Sequence, residues 1–188
     1  MRQKRPSRRT LVLAGTAVVL LAGASTVGLA AASGAFRDAS VAPNGQCSAP
    51  ALRGSVVDVS LMNMMDGHMT GGWMTGGSMR LLTSTDHAAA GTVSFRAVNM
   101  GRLVHELVVL PLPAGEIVGD RVPTSDARVG ETGSFGEASN TCAAGAGAGI
   151  GPGTAGWVTL ELPPGNYELV CNLAGHYAAG MYAELTVS

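Results

Sequence analysis

Beyond residue 53 the chain is a succession of short apolar runs broken by glycine and proline. Val56, Val57, Val59 and Leu61 predict a strand over 54–62. Thr92, Val93, Phe95 and Val98 predict another over 91–99. Further runs at 105–110, 157–162, 167–171 and 181–187 read the same way. Pro111-Leu112-Pro113 and Pro163-Pro164-Gly165-Asn166 punctuate between them, as turn chemistry requires. No segment sustains a helical period. Short strands, many turns and 27 glycines predict an all-β chain folded as an antiparallel β-sandwich. Residues 112–156 carry the weakest pattern, and the Gly/Ala-rich stretch 143–156 predicts no definite element. There are no internal repeats.

The first ten residues hold Arg2, Lys4, Arg5, Arg8 and Arg9, and 11–36 carry no charge. A basic start followed by an apolar stretch and small residues is an export signal. The stretch is also long enough to stay as a membrane anchor with its basic end in the cytoplasm. Ser7-Arg8-Arg9-Thr10-Leu11 adds the twin-arginine route as a third option. In each case the rest of the chain lies outside the cytoplasm, secreted or tethered. Residues 1–36 are therefore the signal or anchor, 37–52 a proline-containing lead-in, and 53–188 one domain. From Arg37 onward seven Arg and no Lys stand against 13 acids, a formal charge of −6. That sign argues against nucleic acid as a partner.

An oxidising compartment makes a Cys47–Cys142 disulfide the default and leaves Cys171 unpaired. Cys171 opens the run Cys171-Asn172-Leu173-Ala174-Gly175-His176-Tyr177-Ala178-Ala179-Gly180-Met181, a C-x4-H-x4-M spacing. A second imidazole, His105, stands at the start of an apolar strand. Two His, one Cys and a weak axial Met form the blue-copper electron-transfer site. The thiolate suits Cu(I), the imidazoles serve both oxidation states, and a distant thioether adjusts the potential without imposing a square plane. Structural zinc would want a fourth strong ligand in place of Met181. The chain has four His in all, too few for the additional copper clusters of a multicopper enzyme. The expected protein is a carrier and not an enzyme.

The segments 91–110 and 156–188 resemble the two halves of a cupredoxin copper site. The C-x4-H-x4-M spacing resembles that of the rusticyanin, sulfocyanin and auracyanin branches of that family. The resemblance covers most of the exported domain and is weak before Gly91. It implies a Greek-key β-sandwich with one type 1 copper bound by His105, Cys171, His176 and Met181. It further implies electronic coupling through Cys171, and an exposed His176 edge where redox protein partners dock on a monomer. Glu106 departs from the pattern, since many cupredoxins carry Asn or Ser after the first His. Its backbone N–H can still donate to the thiolate, while its carboxylate bears on potential or partner choice.

Residues 62–79 hold six of the nine methionines, with His68 and Trp73, in a glycine-rich context. Thioethers are soft ligands that prefer Cu(I). Met62, Met64, Met65, His68, Met69, Met74 and Met79 are therefore candidates for a second Cu(I) site. The same residues read more readily as an adaptable docking rim or as methionines packed on the sandwich edge. Cupredoxin topology would run the first strand alongside 91–99 in the same direction, bringing Met62 onward out beside His176. A copper chaperone or sequestration protein built on this segment is the alternative to an electron carrier. His87, between Asp86 and Ala88, is expected in an exposed turn.

Overall fold

The computed structural model describes Cys47, residues 49–63 and residues 79–188. The predicted signal or anchor, most of the lead-in, and Met64, Met65, His68, Met69 and Met74 lie outside the described residues. Among the described residues nine strands build two sheets. The first orders β2 (Met79–Thr83), β1 (Ser55–Asn63), β4 (Gly91–Asn99) and β7 (Ala155–Leu162). The second orders β3 (His87–Ala88), β9 (Tyr182–Val187), β8 (Gly165–Val170), β5 (Leu107–Pro111) and β6 (Gly136–Ala138). No helix occurs among the described residues.

The inner faces of both sheets meet in one core. Val57, Val59 and Leu61 of β1 and Val93, Phe95 and Ala97 of β4 supply one side; Leu107, Val109, Leu169 and Leu185 supply the other. The period of two explains which residues go inward: β1 buries alternate positions, and β4 does so apart from the additionally buried Ser94. Both inward rows end on an amide. Val57, Val59 and Leu61 lead to Asn63, and Val93, Phe95 and Ala97 lead to Asn99. Because β1 and β4 are parallel, with Leu61 opposite Asn99, these two asparagines finish the core at the same end. That end carries the candidate ligands.

The sheets are mixed: β1 pairs parallel with β4, as the cupredoxin resemblance implied, and β3 pairs parallel with β9, where the residue pattern had predicted an antiparallel sandwich. Three strands escaped the sequence reading because they are too short to show a period: β2, β3 and β6. His87 is exposed but stands in β3, paired with Thr186, and not in a turn. Of the stretch 143–156, which predicted no definite element, Ala155 and Gly156 begin β7, and the rest is held by isolated bridges: Asn140 to Gly149, Ala144 to Trp157 and His105 to Ile150. Cys47 and Cys142 are disulfide-bonded with Cα atoms 5.1 Å apart, tying residue 47 to this region.

Candidate metal centre

Residues 171–181 connect β8 to β9, which run antiparallel with Val170 opposite Tyr182. The Cys171 amide donates to the Met181 carbonyl (3.0 Å), closing the connection directly beyond the paired strands. Inside it the His176 amide donates to Leu173 O (2.9 Å) and the Met181 amide to His176 O (3.2 Å). Gly175 turns the chain at φ +81°, a conformation side chains resist. The loop is also anchored from behind. Tyr177 is buried and donates its hydroxyl to Glu168 Oε1 (2.8 Å), a fully buried carboxylate that Gly119 N–H and Arg121 also satisfy. Asn172 clamps residues 129–131, accepting from Val129 N (2.7 Å) and donating to Val129 O (2.9 Å) and Glu131 Oε1 (2.6 Å).

His105 reaches the same point from a different part of the chain. It precedes β5 by two residues, in an isolated bridge to Ile150, and so does not stand in the strand that the sequence predicted from 105. The reason is local: the next amide, Glu106 N–H, donates to Cys171 Sγ (3.3 Å) instead of to a neighbouring strand. Asn99 builds the preceding turn, donating to Leu103 O and Ile150 O (both 2.7 Å) and accepting from Gly101 N (2.9 Å). Asn63 Oδ1 accepts from Arg102 N (2.7 Å) and Leu103 N (3.2 Å). It also lies 3.2 Å from His105 Nε2.

The two arms converge. Nδ1 of His105 and Nδ1 of His176 are 3.2 Å apart, and Cys171 Sγ is 3.9 Å and 3.3 Å from them. Bonds of about 2.0–2.3 Å from one ion to nitrogen and sulfur set donors at this kind of spacing. His105 and Cys171 are fully buried, while His176 is partly exposed. Met181 is buried in the same core cluster as Cys171. Burial, together with the facing His176, holds the His105 imidazole down to about 4, and burial lowers His176 as well. Both rings are thus neutral at pH 7 with lone pairs to give. Burial pushes the Cys171 thiol up to about 11, against the pull of the Glu106 and Leu173 N–H groups. A metal ion that displaces the proton supplies the missing positive charge. The buried Glu106 carboxyl, facing Glu137 and Glu131, is raised to about 7.

This donor set fits copper: one soft thiolate, two imidazoles and a buried thioether beside them. Of the candidate second-site residues, Met62 and Met79 are described. Met79 packs against the core, and its amide donates to Ala179 O (3.3 Å) in the ligand loop. Met62 pairs with Arg80, one register position away from the Asn63–Met79 pair, and so belongs to the opposite face of the sheet. The structure does not bring these two thioethers together. Sequence reasoning overlooked Asn63, Asn99, Asn172 and Tyr177. For the first two the available signal was an amide ending an apolar, period-two row.

A domain profile, the sulfocyanin (SoxE) domain, matches residues 75–188. Among solved structures, auracyanin from Roseiflexus castenholzii is similar at 16% identity and TM-score 0.43, over 73% of this chain and 98% of that one. Rusticyanin from Thiobacillus ferrooxidans is similar at 18% identity and TM-score 0.42, over 80% and 86%. Auracyanin A from Chloroflexus aurantiacus is similar at 16% identity and TM-score 0.42, over 71% and 100%. No curated protein is significantly similar to the chain.

Proposed function

This chain belongs to the sulfocyanin (SoxE) family of cupredoxins, and on that premise we propose that His105, Cys171, His176 and Met181 hold one type 1 copper that carries single electrons between redox proteins. The convergence of two Nδ1 atoms and one Sγ, with Glu106 N–H on the sulfur, carries this reading. Copper bound there supplies a one-electron couple. The protein supplies donors that barely need to move: Cys171 and His105 are buried among strands, and each is hydrogen-bonded from a neighbouring segment. Such rigidity keeps the reorganisation accompanying electron transfer small.

His176, the partly exposed ligand, is the exit. Around His105 the turn exposes Met100 (65%), Leu103 (47%) and Val104 (41%), an apolar rim suited to a transient protein partner at this end. The domain, 53–188, works as a monomer outside the cytoplasm, delivered or tethered by residues 1–36, with no nucleic-acid partner and no bond chemistry of its own.

A copper-handling role for 62–79 is the second reading, favoured by one observation. Both described ends of the intervening segment stand at the candidate centre, Asn63 against His105 and Met79 against Ala179. Titration of the mature chain with Cu(II), followed by reduction and a count of bound Cu(I), separates the two. A carrier gives one intense thiolate-to-copper band, a narrow copper hyperfine splitting, and saturation at one equivalent in both states. Several Cu(I) held against weak Cu(II) binding would replace it with copper handling.

A further inference from the structure

Asn63 closes the inward row of β1 at the candidate centre, and its amide oxygen is surrounded by donors. Arg102 N–H (2.7 Å) and Leu103 N–H (3.2 Å) can only donate, so they fix which end of the amide faces them: the oxygen. The same oxygen is 3.2 Å from His105 Nε2. An unprotonated Nε2 would set lone pair against lone pair, so Nε2 carries the proton. In a neutral imidazole the other nitrogen then carries the lone pair. That nitrogen, Nδ1, faces Cys171 Sγ and His176 Nδ1.

Gly101 makes the contact possible. A Cβ there would stand 2.1 Å from Asn63 Oδ1 and 3.0 Å from His105 Nε2, so any side chain would expel the oxygen or the ring. Asn63, Gly101 and His105 therefore form one packed unit, assembled from β1 and the turn after β4.

We propose that Asn63 is the positioning residue of this site: it locks His105 in the Nε2–H tautomer and aims Nδ1 at the point shared with Cys171 and His176. Outer partners of ligating imidazoles act in this way in metal sites generally, fixing ring orientation and raising basicity. The inference rests on the copper reading for its consequence but not for its first step, which concerns the metal-free protein. Asn63 also lies at the start of the methionine segment, directly after Met62, and is the cross-strand partner of Met79. The first root of that segment is thereby a determinant of the centre.

The test uses the full chain with 15N-labelled histidine, wild type and Asn63→Ala. In the metal-free wild type, His105 should show a protonated Nε2 whose proton exchanges slowly with solvent. In Asn63→Ala that exchange should be at least about tenfold faster, and copper affinity should fall by about 10- to 100-fold. Asn63→Asp keeps the acceptor and adds charge, so it should keep the tautomer and lower the reduction potential. Should Asn63→Ala fail to fold, an unchanged potential in Asn63→Asp overturns the assignment. So does a wild-type His105 protonated on Nδ1, or an Asn63→Ala protein with wild-type exchange and affinity. A slow Nε2–H in a wild type that forms no blue copper band would support the Asn63 contact and overturn the copper reading.

Discussion

Residues 171–181 bring Cys171, His176 and Met181 together within a single connection between adjacent strands. His105 is delivered to the same point by a turn held from β1, from the end of β4 and from Ile150. The first region is local: eleven consecutive residues, closed by one backbone hydrogen bond between Cys171 and Met181. The second is assembled from residues 63, 99, 101, 105 and 150, of which His105 alone stands out in the sequence. The difference also appears in exposure. The locally built arm leaves His176 partly open to solvent, whereas the long-range arm buries His105 completely. In the proposed copper centre the first arm would serve electron exit and the second would fix the ion, because a ligand held from several strands has little freedom to follow the changing charge.

Removing the shared sulfur should have the largest effect. Cys171→Ser should abolish the thiolate-to-copper band and lower copper affinity by more than the about 10- to 100-fold expected for loss of an outer partner. A blue Cys171→Ser protein would show that the arms do not meet at this sulfur. Next comes a pair of cavities. His176→Gly should lose the native spectrum and recover it with added imidazole, since the vacancy opens to solvent. His105→Gly should recover far less under the same titration, its vacancy lying behind Asn63 and Ile150. Equal rescue would erase the distinction between the arms.

The two imidazoles also differ in linkage. The His105 imidazole falls from the ordinary 6.5 to about 4 on folding, so the unfolded chain binds a proton in this window that the native state refuses. Its contribution is present above about pH 6.5 and is lost as pH falls through about 4, by up to about 3 kcal/mol. Urea denaturation of the metal-free protein should therefore show stability declining across that window, with a shallower decline in His105→Gln. Parallel profiles would contradict the burial argument. The smallest effect should come from behind the ligand loop. Tyr177→Phe removes one hydrogen bond to the buried Glu168 and should cost about 1–3 kcal/mol, with the copper spectrum nearly unchanged.

The same contrast decides what the sequence revealed. The C-x4-H-x4-M run was legible because its meaning is carried by spacing within one segment. His105 was legible as an imidazole ahead of an apolar run, although Glu106 N–H turns to Cys171 and postpones the strand to Leu107. The long alternating strands β1 and β4 were found with boundaries close to the observed ones, and the end of β1 stands at the candidate centre against His105, where it was expected beside His176. Asn63 and Asn99 went unread because their roles exist once β1 and β4 are aligned in parallel, a relation spanning residues 55–99. Asn172 and Tyr177 lay inside the recognised loop. Their partners, Val129 and Glu168, belong to other segments, so spacing within the loop was silent about them. β2, β3 and β6 span five, two and three residues, too few for a period to emerge, and pairing with longer neighbours makes them strands.

The most direct test of the central claim is the crystal structure of the copper-loaded chain with anomalous scattering at the copper edge. One anomalous peak bonded to His105 Nδ1, His176 Nδ1 and Cys171 Sγ, with Met181 beside it and Asn63 still on His105 Nε2, is the expected result. Copper bound away from Cys171, or a peak that engages His176 but leaves His105 unbound, would contradict it.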